Sequence, residues 1–204
     1  MQKNTVFFSI LFLCSYIVAS ASHIAAPENV PGISSLFRFR PETAKPLREL
    51  AEILLVRALN TMSSLSRGEC ELIASYVSSL NQCVFCTLSH SAAAKHLLGG
   101  NEAIVAAVIE DYMSAPISER LKALLAIAAE VQKTGRAVSD ESMAKARATG
   151  ANDFDIHDTV LIAAAFCMYN RYVDGLRAWT PQDPELYDKM GKYLADNGYV
   201  NNRS

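Results

Sequence analysis

The chain has 204 residues, enough for one domain that buries roughly 70% of the surface its unfolded form exposes, so it needs neither disulfides nor a metal merely to fold. Half of the residues are hydrophobic, 8% are aromatic, and there are only nine glycines and seven prolines, a balance that favours an all-α domain over many short strands. The net charge of −2, with no long run of one sign, argues against a surface for nucleic acid or anionic membrane.

The first segment has the layout of a secretory signal peptide. Lys3 precedes an apolar run from Val6 to Val18, and the small residues Ala19-Ser20-Ala21 follow it. The run is short of the roughly 20 residues that cross a bilayer as a helix, so no permanent span is expected. Cleavage is expected near Ala21, which makes residues 1–21 a signal peptide and the mature protein exported, periplasmic or secreted. Leu13 before Cys14 does not suit a lipobox, where a small residue normally stands. The mature chain then keeps Cys70, Cys83, Cys86 and Cys167 in an oxidising compartment, and four cysteines allow three pairings.

Residues 22–42 carry Pro27, Pro31, Gly32 and Pro41 without periodicity and read as an extended leader. The packed domain is expected over 43–196, with a tail over 197–204. Its first helix lies in "KPLRELAEILLVRALN", where Leu47, Leu50, Ala51, Leu54 and Ala58 recur at helical spacing behind Pro46. Ser66 and Glu69 have capping-box spacing and start a helix that ends near Ser79. Asn81 is expected to cap a third helix from Gln82 to Leu98, stopped by Gly99-Gly100. Further helices are expected over 101–111, 118–133, 139–149 and, capped by Asp153, to about Leu176, with a more polar one over 184–196.

The chemistry concentrates in "CELIASYVSSLNQCVFCTLSHSAAAKHLLGG", from Cys70 to Gly100. On a helix Cys86 and His90, four apart, share a face, and Cys83 sits one turn before Cys86, within disulfide range if the first turn loosens. Cys83 falls at the expected helix start, where free amides and the macrodipole stabilise a thiolate, which points to Cys83 as the more acidic sulfur. Zinc is a competing reading of Cys83, Cys86, His90 and His96. On a helix His96 lies about 9 Å along and about 120° around from His90, too far to share one tetrahedral ion; a site of Cys83, Cys86, His90 and Glu71 is the form that geometry leaves open. Glu71, twelve residues before Cys83, reaches this group only if the chain folds back at Leu80-Asn81; otherwise it is a solvated helix residue. A carboxylate beside His90 would orient the imidazole for proton transfer.

The spacing of Glu71, Cys83, Cys86 and His90, embedded in "ELIASYVSSLNQCVFCTLSH", resembles the core of the alkylhydroperoxidase D-like, or carboxymuconolactone decarboxylase, superfamily. "DFDIHDTVLIAAAFCMYNRYVDGL", with its Asn170-Arg171 pair, resembles the long helix of the peroxidase-related branch. The resemblance covers about Thr43 to Leu176. It implies an all-α, alkylhydroperoxidase D-like domain of about six to eight helices, assembled as a trimer or hexamer. It also implies an antioxidant, peroxiredoxin-type activity with a redox-active disulfide and no cofactor or metal. Cys86 would attack the hydroperoxide substrate, Cys83 would resolve the sulfenic acid to a disulfide, Glu71 and His90 would relay protons, and an external dithiol reductant would restore both thiols. Between the cysteines Val84 and Phe85 stand where some members place a further histidine.

The same CxxC would serve thiol-disulfide exchange on a protein partner, and a non-catalytic binding protein could use the fold with the cysteines locked as a disulfide. Lactone decarboxylation is disfavoured because it calls for no cysteine pair. Cys70 and Cys167 read as buried small hydrophobes, with a disulfide between them as the alternative. His96 and His157 read as surface or satisfied helix residues, and Arg171 as an anion contact or helix anchor outside the catalytic set.

Overall fold

The computed structural model describes residues 21–57 and 62–200. The expected signal peptide, apart from Ala21, lies outside the described residues with Cys14, as do the end of the first expected helix and residues 201–204. Among the described residues there are nine α-helices and no strand: α1 (Ile33–Phe39), α2 (Pro41–Glu52), α3 (Arg67–Leu80), α4 (Val84–Leu97), α5 (Glu102–Asp111), α6 (Glu119–Lys133), α7 (Asp140–Ala148), α8 (Asp153–Gly175) and α9 (Pro184–Asn197). A π-helical turn, Ile53–Arg57, continues α2. The all-α expectation holds; the helix beyond the eight read from sequence is α1. No described helix is long and apolar enough to cross a membrane.

The segment 22–42 is not extended throughout. Its helix α1 is held by burial: Leu36 and Phe37 are inside, and Gly32 at φ 50° brings the backbone so close to Phe85 that a Cβ would lie 2.0 Å from the ring. The Gly32 amide donates to the Trp179 carbonyl at 2.8 Å, and the His23 amide donates to the Leu176 carbonyl at 3.1 Å. The prolines and glycine that removed periodicity from this stretch mark its turns, while the helix between them is too short to show a repeat.

Helix α3 forms the centre and is buried from Cys70 to Ser78. Its start is the expected capping box, with the Ser66 hydroxyl accepting from the Glu69 amide and the Glu69 carboxylate accepting from the Ser66 amide. Its end differs from expectation. Gln82 takes a left-handed conformation, φ 60°, the Gln82 amide donates to Ser79 O and the Cys83 amide to Ser78 O, which is a Schellman closure. Helix α4 therefore starts at Val84 with Cys83 as its N-cap residue, rather than at Gln82 behind Asn81. Glutamine in the position that glycine normally takes hid this turn. Helix α8 is likewise capped by Asn152, one residue before the expected Asp153, in a capping box closed by Asp155.

Helix α4 lies antiparallel to α3, and α9 packs on α4 at Gly191, where a Cβ would lie 2.5 Å from the Ala92 backbone carbon. The main core joins α3, α6 and α8. A smaller cluster joins Ala26 and Leu36 of the leader to Cys83, Phe85, Cys86, Val173, Ala178 and Tyr187. The leader thus roofs the cysteine pair.

One buried polar node ties the helix starts together. Asp155, fully buried, accepts from the Ser64 amide at 2.6 Å and the Ser63 hydroxyl at 3.0 Å, and pairs with Arg120 at 3.3 Å, which also holds Glu69 at 2.9 Å. Burial pushes the Asp155 carboxyl up, but the amides of Ser64 and Asn152 and the serine hydroxyls outweigh it and hold the carboxyl below its ordinary 3.8. A depressed pKa gives stability that is present above the unfolded value and lost as pH falls through the folded one. Asp155→Ala should cost roughly 3–5 kcal/mol in urea unfolding at pH 7, with the gap to wild type shrinking below about pH 4. Equal midpoints at pH 7 would refute this role.

Candidate active site

The turn at Asn81-Gln82-Cys83 returns Glu71 to α4. Glu71, with 1% of its side chain exposed, places Oε2 2.8 Å from Nδ1 of His90, whose side chain is 12% exposed. The edge of His90 meets Phe166 with ring centroids 4.6 Å apart. Burial disfavours the imidazolium, but the hydrogen bond and charge of Glu71, with Cys86 adding to them, raise the His90 pKa above its ordinary value. The pair thus favours a protonated His90, whose positive charge acts on Cys86.

The two cysteines lie in one buried cluster in unlike surroundings. Cys86 stands at the third position of α4, within the turn that carries free amides. Its interaction with Cys83 lowers its pKa, burial opposes this, and the charge of His90 and the nearby Asn170 amide reinforce the lowering. Cys83 is pushed up by its interaction with the Cys86 sulfur, and further by burial and by the negative charges of Cys86 and Asp174. Its thiol donates to Asp174 Oδ1 at 3.4 Å. The helix-dipole argument for Cys83 as the more acidic sulfur is therefore corrected. As the N-cap residue beside a carboxylate, Cys83 has the raised pKa, and Cys86 has the lowered one.

Three residues outside the expected set complete the site. Asn170 donates to Ser78 Oγ at 3.0 Å and accepts from Asn81 Nδ2 at 2.8 Å, joining α8 to the α3–α4 turn beside Cys86. Asp174 stands one turn further along α8. Tyr199, in the segment expected to be a free tail, donates its hydroxyl to Glu71 Oε1 at 2.6 Å. Asn170 and Asp174 stood in the stretch that carried the resemblance; Tyr199 had no local signal.

The other candidates lie elsewhere. Cys70 is fully buried, and burial followed by the charge of Glu71 pushes its thiol well up. Cys167 accepts weakly from Asn81 Nδ2 at 3.6 Å, and Cys70, Cys83, Cys86 and Cys167 are all free thiols. His96 turns to Asp188 of α9 at 3.1 Å, and His157 to Asp158 at 2.9 Å. Arg171 donates to the Cys167 carbonyl at 2.8 Å. Among the described residues no three of His, Cys, Asp and Glu are grouped to hold a metal ion.

Asp174→Asn removes the carboxylate that accepts from the Cys83 thiol and whose charge adds to the rise of its pKa. Alkylation of Cys83 by iodoacetamide at pH 8, mapped by mass spectrometry, should rise roughly threefold to tenfold. An unchanged Cys83 rate would mean that Asp174 does not set the asymmetry.

Solved structures share this architecture. An uncharacterised peroxidase-related protein from Ralstonia eutropha, described as an alkylhydroperoxidase AhpD core, superposes with a TM-score of 0.68 at 24% identity, over 80% of this chain and 82% of that one. An uncharacterised peroxidase-related protein from Silicibacter sp. gives 0.68 at 26% identity, over 79% and 81%. A protein of unknown function from Agrobacterium tumefaciens, assigned to AhpD-type antioxidant defence, gives 0.65 at 21% identity, over 80% and 100%. No protein-family model matches the chain, and no curated protein does. With superposition over about 80% of its length on these proteins, the chain has the alkylhydroperoxidase D-like fold.

Proposed function

We propose that the protein is a thiol-dependent peroxidase in which Cys86 is the attacking sulfur. The observation that supports this most is the unequal dithiol, with Cys86 beside His90 and Asn170 and Cys83 beside Asp174. The Cys86 thiolate attacks one peroxide oxygen. An S–O bond forms, the O–O bond breaks, and the alcohol or water leaves with a proton from His90, which Glu71 steadies. Cys83 then attacks the sulfenic acid. The S–S bond forms, the S–O bond breaks, and water leaves with the thiol proton of Cys83 and the sulfenic hydroxyl. An external dithiol reduces the disulfide and restores both thiols.

Thiol-disulfide exchange with a protein partner is the rival. Burial of both sulfurs, Cys83 at 0% and Cys86 at 4% exposure, favours a substrate as small as a hydroperoxide for the first step. The proposal includes export after cleavage near Ala21 and assembly as a homo-oligomer, so the dithiol that reduces Cys83–Cys86 must act outside the cytoplasm.

The reduced mature protein should consume hydrogen peroxide or an organic hydroperoxide with loss of two thiols per turnover. Cys86→Ser should abolish this, Cys83→Ser should let a sulfenic acid accumulate on Cys86, and Glu71→Gln should slow peroxide-driven thiol loss by roughly 10²-fold or more. Wild-type inertness towards both peroxides would sink the proposal; reduction of a model disulfide without peroxide consumption would put exchange in its place.

A further inference from the structure

The end of α9 is tied to the opposite side of the domain by a built latch. Gly198 ends the helix at φ 71°, a conformation that favours glycine, and a Cβ there would lie 2.5 Å from Glu52 Oε2 and push that carboxylate aside. The same Glu52 oxygen accepts from the amides of Tyr199 at 2.8 Å and Val200 at 3.3 Å. So fixed, the Tyr199 side chain enters the site. Its hydroxyl donates to Glu71 Oε1 at 2.6 Å, lies 3.3 Å from His90 Nδ1, and its ring lies nearly parallel to the imidazole, 17° apart in plane.

We propose that Tyr199 is a positioning residue of the thiol site: it occupies Oε1 of Glu71, so that Oε2 faces Nδ1 of His90 and holds the imidazolium whose charge acts on Cys86. The inference rests on the reading of Cys86 as the reactive thiol. Burial, followed by the negative charge of Glu71, pushes the Tyr199 hydroxyl well above its ordinary value, so it acts as a donor throughout the working pH range. Without that donor, one oxygen of a buried carboxylate loses its hydrogen bond, and the carboxylate becomes a poorer partner for the imidazolium. The effect passes along the chain of contacts, since His90 then holds its proton less firmly and Cys86 loses part of the positive charge that favours its thiolate. The other titratable groups about the triad are Cys83 and Cys86 of α4, Arg67 of α3, Tyr169 of α8 and Glu52 of α2, and all remain when Tyr199 loses only its hydroxyl.

The test is the pH profile of Cys86 alkylation by iodoacetamide in the reduced full chain, mapped by mass spectrometry. In Tyr199→Phe the midpoint should move up by about one unit, which lowers the rate below the midpoint roughly tenfold. Gly198→Ala, which opens the latch with the hydroxyl retained, should move it in the same direction. An unmoved midpoint in folded Tyr199→Phe overturns the inference. If neither variant folds, nitrogen-15 spectra of His90 in the wild type decide: a proton on Nδ1 supports the inference, and a neutral ring protonated only at Nε2 overturns it. None of these readouts needs peroxide. A shifted midpoint in a protein that consumes no peroxide removes the peroxidase reading alone, while turnover with an unshifted midpoint removes this inference alone.

Discussion

Glu71 is a carboxylate with almost no access to water, and an isolated charge in that position would cost far more than the fold can offset. It is tolerable because each oxygen has a donor, the His90 ring on one side and the Tyr199 hydroxyl on the other. Much of the architecture follows from that requirement. Helix α4 must return along α3, which the Schellman turn at Gln82 achieves in three residues, and the chain beyond α9 must come back across the domain, which Glu52 enforces. The central helix can carry a charged residue inward only because two distant segments converge on it.

The same turn creates the inequality between the sulfurs. By closing α3 at Gln82 it leaves Cys83 outside the first turn of α4 and Cys86 within it. Neighbours from α8 widen the gap, because Asp174 meets Cys83 while Asn170 meets Cys86. In the cycle we propose, this difference would make Cys86 attack first and Cys83 second, an order that a symmetric pair would lack. The leader adds an apolar roof of Ala26 and Leu36, so the pair sits in low dielectric, where each of these electrostatic differences counts for more.

The scaffold keeps these relations rigid through a few tight contacts. The Asp155–Arg120–Glu69 node locks the starts of α3, α6 and α8, the elements that carry Glu71 and Asn170. The close passage of Gly191 over Ala92 lets α9 lie on α4 and aim the following residues at the site. Precision of this kind suits proton transfer, which depends on hydrogen-bond distance before it depends on pKa.

Local pattern carried most of the helical content. Apolar spacing and side-chain caps such as Ser66, Ser118 and Ser139 marked the helices because these signals act within one or two turns, and the in-phase Cys86–His90 pair was readable for the same reason. The turn after α3 was not, because glutamine sits where glycine would have announced it. Nor was α1, whose order comes from burial against other parts of the chain. By itself the sequence determined an all-helical chain with a dithiol and an imidazole on one helix. Only packing decided that Glu71 is buried between His90 and Tyr199, the latter 128 residues away, and that Cys83 meets Asp174, 91 residues away. Proton affinity depends on the charges and donors that surround a group in space, and those assemble only when the helices pack.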